Sequence, residues 1–429
     1  MEVKSGAERT AEAFPAGWKV RRLGELGTTY GGLSGKTKRD FATGGARYIT
    51  FMNIMSNVVL DPATFEPVRV ASSEHQARAL DGDLFLNGSS ETPEEVGMCA
   101  LLRGSFPDLY LNSFCFGLRL FPDADAVPLY IAYLLRSGEG RKLMYSLAQG
   151  AIRYNLSKSA VKDLRVPLPP VVEQKAISES LSDADSLIRS LQQLIAKKRR
   201  IKQGAMQALL TGRERLPGFS GQWQAKPLGD LFQFSGGLSA SRDQLSTRGH
   251  CYLHYGDIHG SSKTYIDVQS EYQDIPKLDI SLKRVASTSL LGEGDVVFVD
   301  ASEDDVGTSK HVVISNKGDT PFISGLHTIV AKSKSDDLDD LYKRHCFQTA
   351  AIRTQFYFFA VGTKVSGVSK ANIAKVMLPV PPRPEQTAIA RILSDMDGEV
   401  AALEVKLAKA RQLKQGMMQE LLTGRTRLR

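Results

Sequence analysis

The feature that most limits what this 429-residue chain can fold into is that much of it is written twice. Leu209-Leu210-Thr211-Gly212-Arg213 returns as Leu421-Leu422-Thr423-Gly424-Arg425, an offset of 212 (425 − 213). The same offset carries Lys202-Gln203-Gly204 onto Lys414-Gln415-Gly416, and Glu173-Gln174 onto Glu385-Gln386. It also carries Val166-Pro167-Leu168-Pro169-Pro170 onto Leu378-Pro379-Val380-Pro381-Pro382, and Gly150 with Ser157-Lys158 onto Gly362 with Ser369-Lys370. At the front, Trp18, Leu23-Gly24 and Gly31-Gly32-Leu33-Ser34 match Trp223, Leu228-Gly229 and Gly236-Gly237-Leu238-Ser239, at an offset of 205 (223 − 18). The second copy therefore holds seven more residues (212 − 205) between Ser239 and Gly294. Ordered matches at a fixed offset are the signature of a repeat. They are dense in a Pro-rich lead-in and the segment after it, and sparse before it. This predicts two different globular surfaces on one shared frame.

The frame segments read as long helices. Prolines and a glutamate suit a helix start, and the closing Thr-Gly suits its end. Between them Ile177, Leu181, Ala184, Ile188, Leu191 and Ile195 step by 4, 3, 4, 3, 4. Ile389, Leu393, Met396, Val400, Leu403, Leu407 and Ala410 keep the same rhythm, which is that of a coiled-coil seam. Each helix, about 40 residues, would be ~60 Å long. Both begin acidic (Glu173, Glu179, Asp183, Asp185; Glu385, Asp395, Asp397, Glu399, Glu404) and turn basic (Lys197, Lys198, Arg199, Arg200, Lys202; Lys406, Lys409, Arg411, Lys414). Antiparallel pairing sets acid against base. The competing arrangement packs each helix on its own module, as amphipathic helices usually do.

The expected fold class is α+β: two globular mixed α/β modules joined by two long helices in an antiparallel coiled coil, a pseudo-two-fold internal repeat. The expected segments are a loose leader (1–17), a first module (18–170), a central helix (171–216), a second module (217–382) and a C-terminal helix (383–429).

Composition bounds the function classes. At 42% apolar and 24% charged the chain has ordinary cores, and no apolar run approaches the ~20 residues that span a bilayer. Cys99, Cys115, Cys251 and Cys346 show no C-x-x-C spacing, which suits a reducing cytoplasm rather than a disulfide framework or thiolate zinc site. Lys plus Arg number 55 against 47 Asp plus Glu, a net charge of +8 that is compatible with a nucleic-acid partner.

In the modules, short β-rich runs (46–51, 296–299, 311–315) alternate with turns. A Gly-Asp pair opens an apolar strand in each: Gly82-Asp83-Leu84-Phe85 and Gly294-Asp295-Val296-Val297. Polar loops follow at 87–97 and 300–310, and helical stretches (129–135 with 142–147; 338–347) precede the frame. Loop cations hold phosphates and polar side chains read base edges. The DNA-binding candidates are therefore Ser34, Lys36, Lys38, Arg39, Ser89, Thr92, Arg153, Tyr154 and Lys158 in the first module. In the second they are Ser239, Arg242, Ser302, Lys310, Lys364 and Lys370.

Catalytic patterns fail. Tyr30 to Thr37 imitates a phosphate loop, but that pattern needs glycine where Tyr30 stands. His250, Cys251, His254 and His259 cluster without a second thiolate, and the first module has no equivalent, so no metal is expected. Neither a G-x-S-x-G nor an H-E-x-x-H occurs. Glu94-Glu95 and Asp304-Asp305 lie in the polar loops, where they cap the loop or accept from a cytosine amino group. No catalytic residue and no cofactor is expected in this chain.

Two variable modules, each followed by a Leu-Pro-Pro type lead-in, Glu-Gln and a long helix closed by Leu-Leu-Thr-Gly-Arg, resemble the specificity subunit of Type I restriction–modification systems. The resemblance runs from Trp18 to Arg425, and the polar run Ser89 to Gly97 also resembles a loop of such target-recognition domains. It implies two modules that each read half of a bipartite double-stranded DNA site, and helices that set the spacer and dock two methyltransferase subunits. Those partners would supply S-adenosylmethionine binding and adenine N6 methylation, and motor-nuclease (restriction) subunits would join through them, all in the cytoplasm with no membrane. Ser90-Glu91-Thr92-Pro93 is answered by Ser302-Glu303-Asp304-Asp305, a departure that leaves the second module's bases open. A stand-alone two-module DNA-binding scaffold or regulator is the rival, separated by whether a methyltransferase co-purifies.

Overall fold

The computed structural model describes residues 14–150, 153–261, 263–302, 309–361 and 366–428. It forms two compact units, the first of them made of two separate stretches of chain. One runs to Gln192 and resumes at Val405; the other is Gln193–Glu404. Each unit thus contains a module, the first half of one long helix and the second half of the other. The helices are Val171–Leu209 and Arg383–Leu421, 39 residues each.

In the first unit an antiparallel sheet has the order Gly27–Gly31, Cys115–Leu120, Leu84–Asn87, Cys99–Leu101. Its four-residue strand Leu84–Asn87 is buried throughout, which is why it reads as an apolar run. The helix Pro128–Arg136, buried from Leu129 to Leu135, packs on it. A second sheet joins Glu66–Val68, Phe41–Ile49 and Leu109–Leu111. The second unit repeats this plan with Phe232–Gly236, Thr328–Ser333, Val296–Val299 and His311–Ser315, and adds Tyr265–Asp267 at the edge. That added strand falls inside the segment where the second copy is longer. At the same edge of the first copy there is a single bridge, Val59 to Leu101.

The Pro-rich lead-in is a strand in both copies. Arg165–Leu168 pairs antiparallel with Lys19–Arg22, and Met377–Val380 with Gln224–Pro227. Prolines are tolerated because each is a two-stranded ribbon with an open edge.

The half-helices in each unit run antiparallel. In the first, Asp185 pairs with Lys414 at 2.6 Å and Glu173 with Arg427 at 2.6 Å. In the second, Lys198 pairs with Glu399 at 2.6 Å, Lys202 with Asp397, and Arg215 with Glu385 at 2.6 Å. One number rises while its partner falls. The helices also wall the modules. Ile177 and Leu181 are buried in the first core beside Leu421 and Leu422, and Ile389 and Leu393 in the second beside Leu209 and Leu210. Ile195 is buried, while Ile188, Leu191, Val400, Leu403 and Leu407 are half-buried. Packing on a module and pairing with the other helix are thus combined. The outer turns of each seam do both, and the inner turns form the narrower paired stretch.

Candidate nucleic-acid interface

Three segments far apart in sequence meet in each module, in the same way both times. In the first, Tyr154-Asn155 pairs antiparallel with Ser90-Ser89. In the second, Ser366-Gly367 pairs with Ser302-Ala301. Around them Gly88 N–H donates to the Phe114 carbonyl at 2.9 Å, and Leu156 N–H to the Gly88 carbonyl at 2.9 Å. Asp300 N–H donates to His327 at 3.2 Å, and Val368 N–H to Asp300 at 2.8 Å, the same two bonds at repeat-related places. Lys158 and Lys370 complete the match. A Cβ on Gly31 would stand 3.2 Å from the Lys158 Nζ, and one on Gly236 would stand 3.2 Å from the Lys370 Nζ. The glycine of each Gly-Gly-Leu-Ser thus leaves room for the ammonium of a distant lysine.

The loop after Gly-Gly-Leu-Ser is also held alike. A capping box between Thr37 and Asp40 shapes the single turn Lys38–Asp40, and one between Ser241 and Gln244 shapes Arg242–Gln244. The bonds donated by Thr37, first from its backbone, hold the Asp40 carboxyl at about 2. Lys38, Arg39 and Ser34 are exposed on this preorganised turn, as is Ser239 in the second copy. Arg242 is mostly exposed but donates to Asp257 at 2.9 Å.

Several expected candidates serve the fold instead. The Lys36 side chain is 4% exposed and bonds Glu74 at 2.5 Å and the Arg69 carbonyl at 2.6 Å. Glu74, held at about 2 by the Ala71 N–H and then Lys36, also accepts from Gln76. Gln76 in turn clamps the Ser34 backbone from both sides. Lys36 is therefore corrected from a DNA contact to an internal brace, because a partner 38 residues on neutralises it. Ser89 is buried as well. Lys310 turns to the His259 carbonyl. Thr92, Arg153 and Lys158 are exposed, and Tyr154 is half-buried in its ribbon. The backbone of Ser302 lies in its strand, and Lys370 is exposed. Lys364, Asp304 and Asp305 lie outside the described residues. In the histidine cluster, Cys251 is a core residue and His254 caps a turn by accepting from Gly256 N–H at 3.1 Å.

Phe114 and His327 were not singled out in the sequence. Phe114 is 56% exposed, beside the polar loop, with the Arg153 guanidinium 5.3 Å from its ring centre. At the matching place His327 has a positive φ of 58°, lies 3.3 Å from Asp300 and meets Tyr255 edge-on. The signal was their place just before strands at matched offsets, but an aromatic there looks like core. Beneath the sheet, the buried Asp83 of the Gly-Asp pair accepts from Tyr30 at 2.6 Å and from Arg119 at 2.7 Å. Burial, then Asp83, pushes the Tyr30 hydroxyl far above its usual range. Asp295 holds Lys332 at 2.6 Å in the same position. These aspartates anchor the sheet and carry no chemistry.

The modules thus present unlike polar and basic side chains from one loop scaffold, as two heads that read different nucleic-acid sequences would. Comparison with known proteins gives the family. The model for the type I restriction modification DNA specificity domain matches residues 15–198 and 221–411, and the chain belongs to that family. It is 24% identical over 431 residues to a putative type I restriction enzyme MjaX specificity subunit of Methanocaldococcus jannaschii, covering 97% of this chain and 95% of that one. It is 22% identical to the MjaVIII specificity subunit of the same organism, covering 97% and 94%. The S subunit of a type I restriction–modification system from M. genitalium shares the fold, with a TM-score of 0.56 at 14% identity over 94% of this chain and 96% of that one. A chain from a structure concerned with complex assembly and conformational transition of the type I R-M system gives 0.56 at 18%, over 96% and 99%. The chain is a DNA-recognition subunit. No helix among the described residues is long and apolar enough to cross a membrane.

Proposed function

We propose that the modules, 18–170 and 217–382, each read one half of a bipartite double-stranded DNA site, and that the paired helices set the gap between the halves. The observation that carries this is the doubled loop scaffold: the same backbone hydrogen bonds join the segments that carry Phe114, Arg153 and Lys158 in one module and His327 and Lys370 in the other. Matched lysines beside a glycine suit phosphate, which every duplex offers. The differing residues around them suit base edges, which differ between half-sites. The chain itself performs no chemistry. Two methyltransferase subunits bring S-adenosylmethionine and methylate adenine, and motor-nuclease subunits join through them in the cytoplasm.

Mapping methylated adenines in DNA from cells expressing the complex tests the reading. Two short, unlike sequences at a constant separation are expected. A single uninterrupted site would refute it, and a chain that co-purifies with no methyltransferase would return the protein to a stand-alone DNA-binding scaffold.

A further inference from the structure

A single exposed apolar ring is ordinary on a protein surface. Phe114 differs in how it is mounted and in what stands over it. Phe116, two residues on, is 3% exposed and fills the first core, whereas Phe114 stands 56% exposed beside the polar loop of the first module. Its backbone is held on both sides. The Phe114 N–H donates to the Asn112 side-chain oxygen at 2.8 Å, and its carbonyl accepts from Gly88 N–H at 2.9 Å. A Cβ on Gly88 would stand 3.1 Å from that carbonyl oxygen, so the glycine permits the close approach. A ring fixed before it meets a partner loses little freedom on binding.

The Arg153 guanidinium lies over this ring, 5.3 Å from its centre, within the range of a cation–π contact. Arg153 arrives from 39 residues further along the chain (153 − 114) and is exposed. Among the described residues no carboxylate holds it. The ring therefore supports a planar fork that still has its donors to give.

Each of the two groups has a preferred partner in the major groove. Arginine takes the O6 and N7 of guanine with both arms, and phenylalanine packs on the 5-methyl group of thymine. Base pairs stack about 3.4 Å apart, so groups separated by 5.3 Å reach neighbouring pairs. Phosphate suits Arg153 less well. It asks for charge without a fixed plane, and Lys158 already offers that beside Gly31 in the same module. The second module lacks the combination. His327 takes the place of Phe114, and the repeat sets Val365 at the place of Arg153 (365 − 153 = 212).

We infer that Phe114 and Arg153 together read a thymine and a neighbouring guanine in the half-site of the first module, the ring against the thymine methyl and the guanidinium on guanine O6 and N7. The inference rests on the modular reading of DNA proposed above.

The test uses the full chain assembled with its methyltransferase, and DNA carrying both half-sites as mapped by methylated adenines. 5-Iodouracil, which puts a photoreactive iodine where thymine has its methyl, replaces each thymine in turn. One position, in one half-site and next to a guanine, should cross-link to Phe114 on irradiation, as located by peptide mass spectrometry. Uracil at that position removes the methyl and should weaken binding about fourfold; in Phe114→Ala it should change nothing further. 7-Deazaguanine at the neighbouring guanine should weaken binding about fivefold or more, and in Arg153→Ala it should change nothing further. The cross-link and the base analogues act on the unaltered protein, so the outcome does not depend on the folding of a variant. Cross-linking of Phe114 to neither half-site or to both would overturn the assignment, as would a neighbour that is not a G·C pair. Weakening of binding to every sequence alike in Arg153→Ala would also overturn it, since that is the mark of a lost phosphate contact. A 2-aminopurine beside the thymine that brightens on binding would make the ring a wedge between bases and overturn the methyl contact. A complex that binds no two-part site would instead overturn the modular reading beneath.

Discussion

Glu173 and Glu385 are 5% and 0% exposed, and a carboxylate taken that far from water persists only with an answering charge. Each receives an arginine from the segment that closes the other helix: Arg427 at 2.6 and 2.7 Å, and Arg215 at 2.6 and 2.7 Å. Glu385 also accepts from Trp223 at 3.0 Å, whereas the Trp18 Nε1 is buried without a partner. Glu385→Ala should therefore destabilise the protein by roughly 3 kcal/mol, the low end for a broken buried pair because Arg215 is partly exposed. Glu173→Ala should cost less. Urea midpoints measure both, and equal losses would refute the role given to Trp223. At the interface, Arg153→Ala and Phe114→Ala should each relax one half-site by about 1–3 kcal/mol of discrimination and leave the other unchanged; binding to DNA with each half-site substituted in turn reads this out. The chemistry of exposed loop cations was legible in the sequence. What was not legible was pairing at a distance. Lys36 looked free because Glu74 lies 38 residues on, and Arg213 drew the eye in Thr-Gly-Arg although Arg215, repeated as Arg427, makes the clamp.

At the scale of elements, the two long helices were the most legible part, because a 3.5-residue period and opposed charge gradients are local signals. The ion pairs of the inner turns, Lys198 with Glu399 and Arg199 with Glu404, are exposed and contribute under about 1 kcal/mol each; they select the antiparallel direction more than they hold it. The cores at the outer turns hold it, and these were less legible, since a seam leucine and a core leucine look alike in sequence. Leu181 and Leu393 belong as much to the modules as to the seam. The short strands 296–299 and 311–315 were found as β-rich runs set between turns, whereas 46–51 ends its strand at Ile49 and begins a helix at Phe51. Thr50 accepts from the Asn53 N–H and caps that helix, a signal the apolar run concealed. If the helices set the DNA gap, lengthening both must lengthen it. A seven-residue insertion at matched places in the two helices preserves the heptad and adds ~10 Å. The separation of the methylated half-sites should then grow by about three base pairs. An unchanged separation would exclude the ruler.

At the scale of the whole molecule, duplication made two units alike in plan and unlike in their titrating groups. Of the seven histidines, only His75 lies in the first unit. The second holds two that are almost wholly buried. Burial lowers His311 to about 4. Burial, then Lys202 and Arg344, lowers His345 to about 3. Both are neutral in the folded chain and titrate near 6.5 when unfolded. Their folded values lie below their unfolded ones, so the unfolded chain binds more protons under pH 6.5. Stability is whole above that pH and is lost as pH falls toward 4, by up to about 1.4 kcal/mol per pH unit for each histidine. The acid-sensitive groups of the first unit behave differently. Glu74 and Asp40, both near 2, keep their contribution until the pH falls below about 4. Between pH 6.5 and 5 only the second unit should weaken. Each unit has one tryptophan, Trp18 in the first and Trp223 in the second, so Trp18→Phe and Trp223→Phe variants isolate the two signals. Between pH 7 and pH 5 the urea midpoint reported by Trp223 should drop, that of Trp18 should hold, and His345→Gln should shrink the drop. Midpoints that fall together, or a drop unchanged by His345→Gln, would show that acid acts on the shared helices rather than on the buried imidazoles of one unit.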